Sequence, residues 1–260
     1  MNFFIEIALY SMIGLISGFF GGLLGIGGGL ITVPALLLTF QHADHAMHLA
    51  VGTSLAAMIF TSLSSATAHS LKKGVRWPIF RVISFGIIIG ASLGGFIADH
   101  FSSERLAFFF GSFAIGFGIY FLSPRGNIER ETRAFVTSKV MVLPGICIGA
   151  LSALLGIGGG LMMVPFLTYC GVQIREAIST SAVTGVLIAI FGALSFLFFG
   201  LGDPSLKGTL GYIYIPAFIA VGIASCIAAP LGARLTHSLP LPLMRKIFGV
   251  FLIFVGLSMV

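Results

Sequence analysis

Ten apolar stretches follow one another along the chain, at 3–24, 29–40, 49–71, 79–98, 105–122, 138–155, 160–170, 177–200, 209–233 and 242–259. Their interiors contain no Asp, Glu, Lys or Arg. About 20 apolar residues in a helix cross the roughly 30 Å of hydrocarbon in a bilayer, and most of the stretches reach that length. In lipid no water pairs with an exposed backbone group, so a spanning segment must satisfy its own N–H and C=O groups. A helix does this within one segment. A closed β-barrel needs strict apolar–polar alternation, which these stretches lack. All ten are therefore expected to be helical, in an all-α polytopic membrane protein. Charged residues make up 8% of the 260 positions, against about 25% in soluble domains. That deficit excludes an ordinary soluble enzyme or binding module and a disordered chain. The start, MNFFIEIALY, has no basic n-region, so no cleavable signal peptide is expected.

Two stretches, 29–40 and 160–170, are too short to span, and they occupy matching places. Residues 25–34 read GIGGGLITVP and residues 156–165 read GIGGGLMMVP. Further on, Ala50-Val51-Gly52-Thr53-Ser54 matches Ala177-Ile178-Ser179-Thr180-Ser181. The chain thus divides into a membrane repeat at 1–122, a polar linker at 123–139 and a second repeat at 140–260. Five segments per half is an odd number, so the repeats are expected to be inverted. Lysines and arginines cluster accordingly. One face collects Lys72, Lys73, Arg76, Arg81, Arg125, Arg130, Arg133, Lys139, Arg175, Arg234, Arg245 and Lys246, and the other keeps Arg105 and Lys207. Basic loops stay in the cytoplasm, which places the linker inside and both termini outside.

Glycines at every fourth position, Gly14, Gly18 and Gly22 or Gly86, Gly90 and Gly94, are read as close helix packing. The GIGGG runs differ. Each glycine weakens a helix by about 1 kcal/mol relative to Ala, and Pro34 or Pro165 follows soon after. Each run therefore predicts a broken or re-entrant helix. Irregular backbone at membrane depth survives only where protein buries it or it lines a cavity, and such breaks in two inverted repeats point to a transport site. Free N–H groups at a helix start cradle anions. The candidate binding residues are thus Gly27, Gly28 and Gly29 with Gly158, Gly159 and Gly160. Thr53, Ser54, Thr180 and Ser181 join them, because a hydroxyl donates to an anion without a fixed charge in lipid. Ser54, Thr61, Ser65 and His69 form a polar stripe on one helix face, read equally as a path lining or a helix seam.

Other chemistries leave no signature. A phosphate-binding Gly-x-x-x-x-Gly-Lys-Ser/Thr loop is absent. No carboxylate proton relay crosses the apolar interiors. Cys147, Cys170 and Cys226 lie in apolar runs and read as small buried hydrophobes. His42, His45 and His48 beside Asp44 read as a solvated loop rather than a metal site. No catalytic residue, metal or cofactor is expected, and the net charge of +6 is read as membrane orientation rather than nucleic-acid affinity.

The doubled GIGGG-x-x-x-VP, the Thr-Ser helix starts and Lys-Lys-Gly-Val-Arg-Trp at 72–77 resemble the TauE/SafE family of sulfite exporters and related permeases. The resemblance covers essentially the whole chain. It implies transport across a bacterial inner membrane of small sulfur-containing anions: sulfite, sulfoacetate or other organosulfonates, and thiosulfate. The sequence departs from internal symmetry with Gly52 opposite Ser179 and a longer histidine loop in the first half. An inside-negative potential drives an anion outward by about 2.3 kcal/mol per charge per 100 mV, so export needs no proton relay. A channel for a neutral solute and a non-transporting scaffold or sensor subunit remain the other two classes. The charge asymmetry predicts that, with native cysteines replaced, Asp44→Cys reacts with an impermeant thiol reagent on intact cells and Ile128→Cys does not.

Overall fold

A computed structural model describes residues 3–24, 27–70, 74–123, 139–202, 208–235 and 241–260. Most of the expected linker, 124–138, and Gly25 and Ile26 of the first glycine run lie outside the described residues. The helices are α1 (Phe3–Leu24), α2 (Gly29–Thr39), α3 (Ala46–Ser70), α4 (Trp77–Asp99), α5 (Ser103–Leu122), α6 (Val142–Leu154), α7 (Gly160–Tyr169), α8 (Ile174–Phe199), α9 (Ile215–Leu235) and α10 (Leu241–Leu257). Six of them, α1, α3, α4, α5, α8 and α9, are long and apolar enough to cross a membrane. The short pair, α2 and α7, falls where the sequence puts it. The ninth apolar stretch departs from expectation at its start. Residues 209–214 form a two-stranded turn, β1 (Thr209–Leu210) with β2 (Ile213–Tyr214), and the helix begins only at Ile215. Gly211, at φ 57°, turns the chain there, and the Tyr212 N–H donates to the Phe196 carbonyl at 3.2 Å.

The surface is apolar and the interior carries the hydroxyls. Phe85, Phe198 and Phe254 are 70%, 68% and 73% exposed. Thr53, Ser54, Thr61, Ser62, Ser65, Thr180, Ser181 and Thr184 are buried in α3 and α8. In water this inversion would forfeit the hydrophobic gain of burying each ring, about 1.5–3 kcal/mol. Against lipid it costs nothing.

Small residues set the helix pairs. Gly14, Gly18 and Gly22 of α1 lie in succession against Val221, Ser225 and Ala229 of α9, so the two helices run parallel. Gly86, Gly90 and Gly94 of α4 step in the same way along Val142, Ile146 and Ala150 of α6. The pairs α3–α8 and α5–α10 run antiparallel: Gly192 meets Leu55 and Gly185 meets Ser62, while Gly111 meets Gly256 and Gly118 meets Gly249. Without a hydrophobic force between helices in lipid, such close backbone approach supplies the attraction. Following these directions brings Arg76, Arg81, Lys139, Arg175, Arg234 and Lys246 to one end of the bundle. Arg105 lies at the other end, with Glu6, Asp44, Asp99 and Glu104.

The seams predict a contrast. A side chain on Gly22 meets the Ala229 carbonyl and one on Gly90 meets that of Ile146, whereas Gly116 has nothing within 4 Å. Gly22→Leu and Gly90→Leu are expected to lose most monodisperse protein on gel filtration in detergent, and Gly116→Leu to retain it.

Candidate functional site

The two glycine turns meet at the centre. A Cβ on Gly27 would stand 3.1 Å from Gly158 Cα and 2.7 Å from Met58 Sδ, and one on Gly29 would strike the Gly156 carbonyl. Gly27 and Gly28 have φ of 82° and 80°, a left-handed backbone that only glycine adopts at little cost. Their equivalents differ. Gly159 is right-handed at φ −53°, and Gly156 carries the positive φ, 65°, of the second turn. The halves therefore place matching residues in unlike conformations, in line with the departures from symmetry seen in the sequence.

A cavity of about 10 Å³ lies at this meeting point, room for about one water-sized group. Of the residues expected to bind, Gly27, Gly158, Gly159 and Ser181 line it. Gly158 and Gly159 lead into α7, whose first N–H groups lack intrahelical acceptors. Ser62 and Ser65 of α3 and Ala182 and Gly185 of α8 complete the wall. The hydroxyls of Ser65 and Ser181 have no hydrogen-bond partner, although both residues are buried.

The structure does not bring the other expected residues to this cavity. Gly28 abuts the Ser17 carbonyl, and Gly29 and Gly160 open α2 and α7. Ser54 donates to the Gly156 carbonyl at 3.2 Å and fastens α3 to the second turn. Thr53 Oγ1 accepts the Tyr214 N–H at 2.9 Å, and Thr180 Oγ1 accepts the Arg76 N–H at 3.0 Å. Each threonine thus caps the segment that enters a helix of the other half, α9 or α4. These positions, about two turns into α3 and α8, carry structural bonds because an incoming chain end has unpaired N–H groups to satisfy.

The polar stripe also divides. Thr61 donates to Ser225 Oγ at 2.6 Å and Ser64 to the Cys226 carbonyl at 3.0 Å, forming a seam between α3 and α9. Ser65 faces the cavity, with Ser62 one turn before it. The side chain of His69 lies outside the described residues. Sequence reading missed Ser62 because Thr61 and Ser62, about 100° apart on a helix, are equally polar.

Two further polar groups were not anticipated. His48 is buried rather than solvated. Its Nε2–H donates to the Ala98 carbonyl at 2.9 Å, leaving Nδ1 to accept from Ser103 at 3.3 Å. It thereby ties α3 to the α4–α5 corner. Glu6 accepts from the phenols of Tyr10 at 3.0 Å and Tyr214 at 3.1 Å. Burial first, and Glu6 second, raise the Tyr214 phenol above its ordinary value, which keeps it a donor. Among the described residues no group of three His, Cys, Asp or Glu is placed to hold a metal.

An apolar exterior and a bundle with six membrane-length helices define a polytopic membrane protein, with a small serine- and glycine-lined cavity inside. The sulfite exporter TauE/SafE family model matches residues 10–259, and the chain belongs to that family. It is 34% identical to a probable membrane transporter protein of Haemophilus influenzae over 98% of both chains. It is also 29% identical to a probable membrane transporter protein of Methanocaldococcus jannaschii, over 88% of this chain and 84% of the relative. A probable membrane transporter protein of Bacillus subtilis, YunE, is 26% identical over all of this chain and 98% of its own. No solved structure matches.

The two threonine bonds make a prediction. Thr53→Val or Thr180→Val keeps the shape but leaves a part-buried N–H without its acceptor, a loss of about 0.5–1.5 kcal/mol. Each variant is expected to unfold at a lower temperature in detergent than the parent chain.

Proposed function

We propose that this chain is a secondary transporter, not an enzyme, that exports a small sulfur-containing anion across the inner membrane. Sulfite, sulfoacetate or another organosulfonate is the proposed cargo. The observation that carries this reading is the cavity. Backbone from both glycine turns and two unspent hydroxyls converge there, at the start of α7. Aligned N–H dipoles and hydroxyls favour negative charge without a buried cation. The family name supports the choice of a sulfur anion.

The helix directions support an inverted repeat. Exchanging the halves turns the parallel pair α1–α9 into α6–α4, and pairs α3 with α8 and α5 with α10. Matching helices in antiparallel pairs are what an axis in the membrane plane produces. With basic residues inside, both termini lie outside. The bilayer and the anion are the proposed partners.

The cavity as it stands holds about one water, less than the four heavy atoms of sulfite. Transport on this reading requires the wall between α3 and α8 to open.

Counterflow of radiolabelled sulfite in proteoliposomes tests the proposal. The expected result is saturable exchange accelerated by an inside-negative potential in the export direction. Absence of saturation or of a response to potential would favour a neutral-solute channel, and absence of flux a scaffold. The two turns are expected to respond differently. Gly159 has ordinary φ and its nearest neighbour is the mobile end of Ile188, so Gly159→Leu folds, fills the cavity and abolishes counterflow. Gly28→Leu places a side chain at positive φ against the Ser17 backbone and loses folded protein.

A further inference from the structure

We propose that Ser65 of α3 and Ser181 of α8 are substrate-binding residues that act as a pair. They bridge the two halves through an anion with at least two acceptor oxygens, and Ser62 assists from the turn before Ser65. This rests on the transport reading above and assigns its selectivity. Ser65 and Ser181 are 3% and 0% exposed, and both line the cavity. A buried hydroxyl without a partner costs about 1–3 kcal/mol, and buried polar groups in native proteins are overwhelmingly bonded. Among the described residues Ser152 of α6 is the third buried hydroxyl without a partner, and it does not line the cavity; other hydroxyls of these helices are bonded. Thr61 donates to Ser225 Oγ, and Ser64, Thr184 and Ser195 donate to the backbone carbonyls of Cys226, Ser181 and Ser92 respectively. Helical Ser and Thr usually bond to the carbonyl three or four residues earlier, and Ser65 and Ser181 forgo even this.

The pair is not a copy produced by the repeat. The residue matching Ser181 is Ser54, which spends its hydroxyl on the Gly156 carbonyl. Ser65 lies near the C-terminal end of α3 and Ser181 near the N-terminal end of α8, and the antiparallel crossing brings them to one wall. The donors come from two different helices. An anion with one exposed oxygen satisfies one of them, whereas two oxygens on different sides satisfy both and cross-link α3 to α8. Sulfite and the sulfonate group meet this condition.

Thermal unfolding in detergent, with and without sulfite, separates a binding role from a structural one. The variants are Ser65→Ala, Ser181→Ala and the double alanine, with methanesulfonate as a second probe. If the hydroxyls await substrate, each single variant without ligand unfolds at the parent temperature or above it, because an unpaired buried group has been removed. Its sulfite affinity falls about 10- to 150-fold, as for losing one hydrogen bond to a charged group. Because the anion bridges, the double variant is expected to lose less than the product of the single losses. A lower unfolding temperature without ligand, with sulfite affinity retained, would overturn the proposal and make the pair a structural site satisfied by water. A parent response to sulfite and methanesulfonate that survives in both single variants would overturn the bridge and leave the transport reading intact. No parent response to either probe would overturn the substrate reading and the bridge with it.

Discussion

The approach of Gly27 to Gly158 and of Gly29 to Gly156 is the contact on which the rest depends. Backbone meets backbone there without an intervening side chain. In lipid the N–H and C=O groups of such irregular segments have nowhere to go unless protein surrounds them. The molecule therefore encloses the two turns between α3 and α8 and wraps the remaining helices outside. Ser54, bonded to the Gly156 carbonyl, belongs to this enclosure as much as to any site.

The outer pairs follow a related rule with different chemistry. Lipid tails are as apolar as leucine, so burying leucine between helices gains little, and contact area at short range decides. Gly14, Gly18 and Gly22 on α1 and Gly86, Gly90 and Gly94 on α4 give up helix propensity of about 1 kcal/mol each to let α9 and α6 approach. The hydroxyls have separate uses. Thr53 and Thr180 fasten the entries of α9 and α4, Thr61 and Ser64 fasten α3 to α9, and Ser65 and Ser181 stay unbonded. A polar residue in this bundle is thus read by what it has already bonded to.

Much of the architecture was legible in the sequence. Helicity and the short second segment of each half followed from length and from the absence of charge. These are local properties, or properties of the solvent, and they need no partner to be evaluated. The start of α9 was not legible, because an apolar run at 209–214 suits a helix and a strand turn alike. Only the Tyr212 and Tyr214 bonds to α8 and α3 decide between them.

The site was legible in part, for a geometric reason. The repeated pattern pointed to both glycine runs, and Gly27, Gly158, Gly159 and Ser181 of the expected residues line the cavity. Which hydroxyls would face the cavity was decided only by tertiary structure. Adjacent positions on a helix point about 100° apart, and the direction that matters depends on which helix lies opposite. That rotation turns Thr61 to α9 and Ser62 and Ser65 to the cavity. It also commits the repeated Thr53 and Thr180 to backbone N–H groups that arrive from the other half of the chain, more than a hundred residues away.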